Sequence, residues 1–248
     1  MPALLVFDTA TEHLFAGLSV DGRRWVHEGA GGAQASAALL PAVLELLARA
    51  GIALGQLDAI GFGRGPGAFT GLRTSASVAQ GLAFGTGRPV IAIDSLLAVA
   101  EDARDGAAAL SIWVAMDARM NEIYAARYRF DATGWQGDIA PALYGPSALE
   151  ARWLEAPADR IAGNALAAFP GLATGAARRV AGALPRPDAL LTLANVAWQA
   201  GELLDAAEAL PVYVRDKVAL TTAEREAARL AGAVVMPATE GGLRGKAP

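Results

Sequence analysis

Cysteine is absent from the 248 residues, which excludes structural disulfides, thiolate–zinc sites and a cysteine nucleophile. The absence agrees with a reducing compartment. Histidine is nearly absent: His13 and His27 stand alone, 14 residues apart, in runs that read as strands. A paired-imidazole metal site needs two histidines four apart on one helical face. Neither a metal site nor a Ser/His/Asp arrangement is therefore expected, and the two histidines read as strand residues at a sheet surface. Lysine is scarce too, with only Lys217 and Lys246 among 21 basic residues. A net charge of −4, without an arginine–aromatic stripe, argues against direct nucleic-acid binding. No stretch approaches the ~20 apolar residues of a membrane span. The start, MPALLVFDTATEH, lacks the basic and long apolar regions of a secretory signal. The cytoplasm is the expected compartment, with no membrane contact.

What is present is a folding composition, 54% hydrophobic and 19% charged, in a chain long enough for one large domain or two small ones. Three alternating runs open it, ALLVFD, HLFAGLSV and RRWVHEG, and Asp21-Gly22 between the last two is a two-residue hairpin signal. A helix is expected from Ser36 to Ala50, closed by Gly51. Its apolar positions Leu39, Leu40, Val43, Leu44, Leu46 and Leu47 spread over roughly 160°, wide enough for two contacts at once. A strand (57–62), a glycine-rich loop, a helix (72–85) rich in small residues and the strand PVIAI follow. This order implies an α/β layer with a mixed sheet. A helix over 96–104 leads to a second hairpin, SIWVAMDARMNEIYAARYRF. Beyond it the pattern weakens, with short strands at RIAGN and RRVAG and a helix over 193–207. The end beyond Pro237 has no periodicity and reads as a mobile tail, 238–248.

The loop, GRGPGAFTGLR (63–73), joins a strand to a helix, the place where backbone amides and a helix dipole converge on phosphate. It lacks the lysine of a Walker loop. Phe69 instead suggests packing, with Gly65 and Gly67 forming a rigid turn that launches the helix. Phosphate binding stays open as the minority reading.

Three stretches together resemble one family: LLVFDTAT, GRGPGAFTGLRTSASVAQGLA and MDARMNEIYAARY, with a weaker fourth in PVYVRDKVA. They span about residues 3–219 and are similar to the TsaB (YeaZ) proteins of threonylcarbamoyladenosine biosynthesis. The resemblance implies two RNase H-like subdomains of the actin/Hsp70/sugar-kinase (ASKHA) superfamily, over 1–104 and 105–211, with 212–230 packing back on the first. It implies a non-catalytic scaffold for the paralogue TsaD. With TsaE, that complex transfers threonylcarbamoyl to N6 of adenosine 37 in ANN-decoding tRNAs, and this chain meets tRNA only indirectly. No cofactor is expected on this chain alone, and ATP and metal are expected on TsaD and TsaE. The partner interface is expected on the first two helices, at Leu39, Leu40, Val43 and Leu47 with Arg73, Ser77, Gln80 and Gly81. The isolated chain is expected to form homodimers through the same surface.

Asp8, Thr9 and Thr11, with Gly65 and Gly67, are the candidates for a nucleotide contact. The alternative is that Asp8 and Thr9 cap a hairpin turn. Asp117 and Arg119 are weighed evenly between a cleft contact and an Asp-initiated turn with a surface ion pair. Gly163 and Asn164 are the weak candidate for an adenosine pocket. Ala35, Ala68 and Ser75 depart from the family's usual His, Ser and Gly. Against the scaffold stand two other functions: a stand-alone ATP-binding phosphotransferase or peptidase, and a tRNA-binding module.

Overall fold

The computed structural model describes residues 1–215. The expected tail at 238–248 lies outside the described residues, as does all but the start of the returning segment 212–230. Met1–Val214 forms one compact unit.

Two five-stranded mixed sheets carry the fold. The first contains β1 (Leu4–Asp8), β2 (His13–Val20), β3 (Arg23–Ala30), β4 (Ala59–Gly65) and β5 (Val90–Asp94), in the order β3-β2-β1-β4-β5. The second contains β6 (Leu110–Asp117), β7 (Ile123–Asp131), β8 (Gly134–Tyr144), β9 (Arg160–Ala162) and β10 (Arg178–Val180), in the order β10-β9-β6-β7-β8. Read from the hairpin side, both sheets have one topology. Each first strand is antiparallel to the second and parallel to the fourth. This is the twofold RNase H-like pattern of the α/β class that the resemblance implies.

Local chemistry explains the breaks. The turn between β2 and β3 needs two residues at positive φ, supplied by Asp21 (49°) and Gly22 (80°). Helix α1 (Ala35–Ala50) ends at Gly51, left-handed at φ 72°, and α2 (Phe69–Thr86) ends likewise at Gly87. Helix α2 begins three residues before the expected start. Three elements went unread in the sequence: β8, α4 (Pro146–Glu155) and a short helix at Ala165–Ala168. Helix α3 (Ser95–Asp102) is capped by Asp94, whose carboxylate accepts from the Leu96 and Leu97 amides. After the short α5 (Ala165–Ala168), α6 (Pro187–Ala200) starts six residues before the expected helix and stops seven earlier. Pro187 stands in its first turn and Gly201 caps it.

Alternation places Leu5, Phe7, Leu14, Ala16, Leu18, Ile60 and Phe62 in one core with Leu39, Val43 and Leu46 of α1 and Ala76, Ala79 and Ala83 of α2. Leu4, Val6, Phe15, Ile91 and Ile93 form the opposite core with Leu190, Leu191 and Leu193 of α6. Sequence order groups α6 with the second half, but it packs on the first sheet. Each fully buried large side chain here contributes roughly 1.5–3 kcal/mol. Gly32–Ala50 has the length and apolar character of a membrane span, yet Ala35, Leu39, Ala42, Val43, Leu46 and Leu47 of α1 are buried.

Candidate functional site

The ends of β1 and β4 lie side by side, so the DTAT turn meets the glycine loop. Asp8 is fully buried. Its Oδ1 accepts from the Ala10 amide at 2.6 Å and its Oδ2 from the Ser95 hydroxyl at 2.6 Å. Ser95 Oγ in turn accepts from the Gly65 amide at 3.1 Å. Burial pushes the Asp8 carboxyl up to about 6, against these hydrogen bonds, with nearby Asp94 adding to the rise. Asp94 is also raised by burial, although the Tyr128 hydroxyl donates to its Oδ2 at 2.8 Å and two amides bond its Oδ1. Burial and the facing Asp94 drive the Tyr128 phenol well above its ordinary value. Helix α3 is thereby tied to β1 through Ser95 and to β7 through Asp94.

The glycines of the loop mark where the DTA turn presses on it. A Cβ on Gly63 would lie 1.8 Å from Asp8 Oδ2, one on Gly67 2.5 Å from the Ala10 carbonyl oxygen, and one on Gly71 1.8 Å from the Thr9 carbonyl oxygen. Gly65 has φ 106°, a conformation that favours glycine. The Ala68 amide is spent on the Ala10 carbonyl at 2.8 Å. The DTA turn therefore packs directly on the loop at Gly63, Gly67 and Gly71. Asp8, Thr9, Gly65 and Gly67 are thus brought together by packing between the DTA turn and the loop. Thr11 is spent locally, its hydroxyl oxygen accepting from the His13 amide at 3.1 Å.

Thr9 is buried and donates to the Gly71 carbonyl at 2.7 Å. Its only proton being used there, Ser75 Oγ, also 2.7 Å away, donates to it. The serine that departs from the family's usual glycine thus completes a buried hydroxyl pair. Ser75→Ala is expected to cost about 1 kcal/mol and Thr9→Val about 2, because the second also strands Ser75. Urea unfolding measures both, and equal losses would contradict the assignment of donors. Ala35 is buried and Ala68 exposed; neither offers a polar group.

In the second half, Asp117 begins a turn in which Arg119, Met120 and Asn121 all have positive φ. Asp117 Oδ1 accepts from the Arg119 amide at 2.9 Å, and Arg119 Nη2 reaches Glu12 Oε1 at 2.6 Å. The two equivalent turns, 8–13 and 117–122, are joined by this ion pair. The geometry is that of an Asp-initiated turn with a paired arginine. Asn164 Oδ1 accepts from the Asp117 amide at 2.8 Å, and Gly163 sits against the Ala115 carbonyl. Among the described residues no three His, Asp or Glu side chains form a metal-binding group.

The helical surface requires a correction. Leu39, Val43 and Leu47 are 0%, 0% and 4% exposed and belong to the first core; they cannot meet a partner directly. The broad apolar arc of α1 is divided: its inner half faces the sheet, while Leu40 and Leu44 are 43% and 54% exposed. On α2, Arg73, Ser77 and Gly81 are exposed and Gln80 half-buried. Open space surrounds Gly81, and Phe84 beyond it is 64% exposed. The expected partner face left out Leu44, read as part of the apolar arc, and Phe84. Phe84 falls three residues after Gly81 and seven after Ser77, so helical spacing alone places it on that face.

The family described as "TsaD: tRNA N6-adenosine threonylcarbamoyltransferase" matches residues 31–180. The tRNA threonylcarbamoyladenosine biosynthesis protein TsaB of Escherichia coli K12 is 33% identical over 221 residues, covering 87% of this chain and 96% of that protein. The TsaB protein of Haemophilus influenzae is 34% identical over 226 residues, with 87% and 94% covered. The solved structure of YeaZ from Pseudomonas aeruginosa superposes with a TM-score of 0.78 at 38% identity, over 86% of this chain and all of that one.

Proposed function

The chain belongs to the TsaB (YeaZ) family, and from that membership we propose that it is the non-catalytic scaffold subunit of a complex with TsaD and TsaE. That complex transfers threonylcarbamoyl to N6 of adenosine 37 in ANN-decoding tRNAs, in the cytoplasm. The names of the relatives support a role in threonylcarbamoyladenosine biosynthesis. One observation supports the non-catalytic part: Asp8 is buried with both oxygens bonded inside the fold, and the turn that holds it packs on the glycines of the loop. ATP and metal are then held by the partners, and tRNA is met through them.

The face formed by Leu40, Leu44, Ser77, Gly81 and Phe84 supports docking of a helical surface of TsaD. Exposed leucines beside small residues let helices approach closely, and the same face pairs two copies when TsaD is absent. Loss of one apolar anchor at such an interface costs roughly 2–4 kcal/mol. Leu44→Asp and Phe84→Asp are accordingly expected to weaken TsaD binding by about 30-fold or more, while unfolding stability stays within about 1 kcal/mol. Val43→Asp instead places a charge in the core and unfolds the chain. Calorimetry against TsaD, with urea unfolding of each variant, checks the assignment; undiminished binding in the two surface variants removes it. Depletion of the chain in its host, followed by mass spectrometry of tRNA nucleosides, tests the pathway. Loss of threonylcarbamoyladenosine is expected, and an unchanged level refutes the proposed role.

A further inference from the structure

The glycine loop is covered from outside as well as from within. After Ala206 and Ala209, both buried in the first core, the chain runs as a strap over Leu210 to Val214. Val212 donates its N–H to the Arg64 carbonyl at 2.7 Å, and its own carbonyl lies 3.0 Å from where a Gly65 side chain would begin. Tyr213 lays its ring on Phe69 with centroids 4.7 Å apart. Its hydroxyl accepts from Arg73 Nε at 3.2 Å, and the Arg73 guanidinium stands 3.9 Å over the Phe69 ring. Val214 packs on the core that holds Leu96 and Tyr128. The strap therefore joins β4, the first turn of α2 and the core that holds Leu96 and Tyr128.

The middle of the strap faces water: Val212 and Tyr213 are 37% and 44% exposed. Segments held by a few exposed contacts open locally, far more easily than the whole fold. Phe69 and Arg73 also begin the row on α2 that continues through Ser77, Gly81 and Phe84 at helical spacing. We propose that the strap is a latch that sets the form of this row. Engaged, Tyr213 fixes Phe69 and Arg73 against the start of α2. Released, it frees the Arg73 guanidinium and loosens the first turn, while the cores on the two faces of the first sheet stay intact. The latch thereby tunes the helical face from one end without touching Leu44 or Phe84. Only this regulatory consequence rests on the partner-face reading.

Hydrogen exchange on the full-length chain tests the latch without any partner. Tyr213→Ala is expected to speed exchange about tenfold at the amides of residue 65 and residues 68–73, leaving residues 113–116 unchanged. Tyr213→Phe keeps the ring stack, loses the bond to Arg73, and falls between. Unchanged exchange in both variants, or an equal rise in the second sheet, overturns the latch. Calorimetry against TsaD tests the consequence: Tyr213→Ala binds several-fold more weakly and Tyr213→Phe recovers most of the loss. Equal affinities, with Leu44→Asp still defective, overturn the regulation alone. If Leu44→Asp also binds normally, the partner-face reading fails instead.

Discussion

Gly71→Ala is expected to remove at least about 4 kcal/mol of stability, while Gly81→Ala on the same helix adds about 0.5–1. The first methyl would lie 1.8 Å from the carbonyl oxygen of Thr9. That oxygen belongs to the backbone of a fully buried residue, so no side chain can swing aside. Either α2 shifts off the sheet or the end of β1 moves, and both break the Thr9–Gly71 and Ala68–Ala10 bonds. Against a whole-domain stability of about 5–15 kcal/mol, such a loss leaves little folded protein at physiological temperature. The second methyl meets nothing within 4 Å, and alanine restricts the unfolded chain more than glycine does. Urea unfolding followed by circular dichroism measures both. A Gly71→Ala chain within about 1 kcal/mol of the parent would show that the DTA turn does not press on the loop.

The second large effect is in pH. Asp8 holds its proton in the folded state up to about 6, against an ordinary 3.8. Between these values the folded chain binds a proton that the unfolded chain has released. Stability therefore falls as pH rises through that window and levels off above it. A gap of about two pKa units corresponds to roughly 3 kcal/mol. Asp94, raised in the same direction, adds to the decline. Asp131 and Asp159 are lowered by bonds to Thr133 and Ser111, so what they contribute is lost only below their ordinary range, outside this window. Asp8→Asn keeps an oxygen for the Ala10 amide and offers an N–H to Ser95, with no charge to bury. It is expected to match the parent near pH 4 and to exceed it by up to about 3 kcal/mol at pH 8. Urea midpoints from pH 4 to 8 give the comparison; a difference that does not change with pH would remove the buried carboxylate as its cause.

The hairpin openings of both halves, the Asp21-Gly22 turn and the Gly51 stop were legible in the sequence because each depends on its own few residues. What depended on the opposite side of a contact was not. An apolar arc of roughly 160° on α1 says that two surfaces are served, but not which leucines serve which, and Leu39 and Leu40 differ by only 100° of rotation. The glycines of GRGPGAFTGLR suggested a ligand, since nothing local says that Asp8, Thr9 and Ala10 stand against them. β8 went unread because two glycines and Pro141 interrupt it, which an edge strand tolerates. For α6 the signal was present: Pro187 and Asp188 in the first turn mark a helix start.

The placement of α6 has a consequence for synthesis. Leu4, Val6, Phe15, Ile91 and Ile93 are covered by a helix that ends at Ala200. A ribosome that has made the first hundred residues has produced a sheet with one oily side that lacks the helix which covers most of it. Such a nascent sheet is prone to aggregate, so chaperone capture is expected to persist until the α6 sequence has left the exit tunnel.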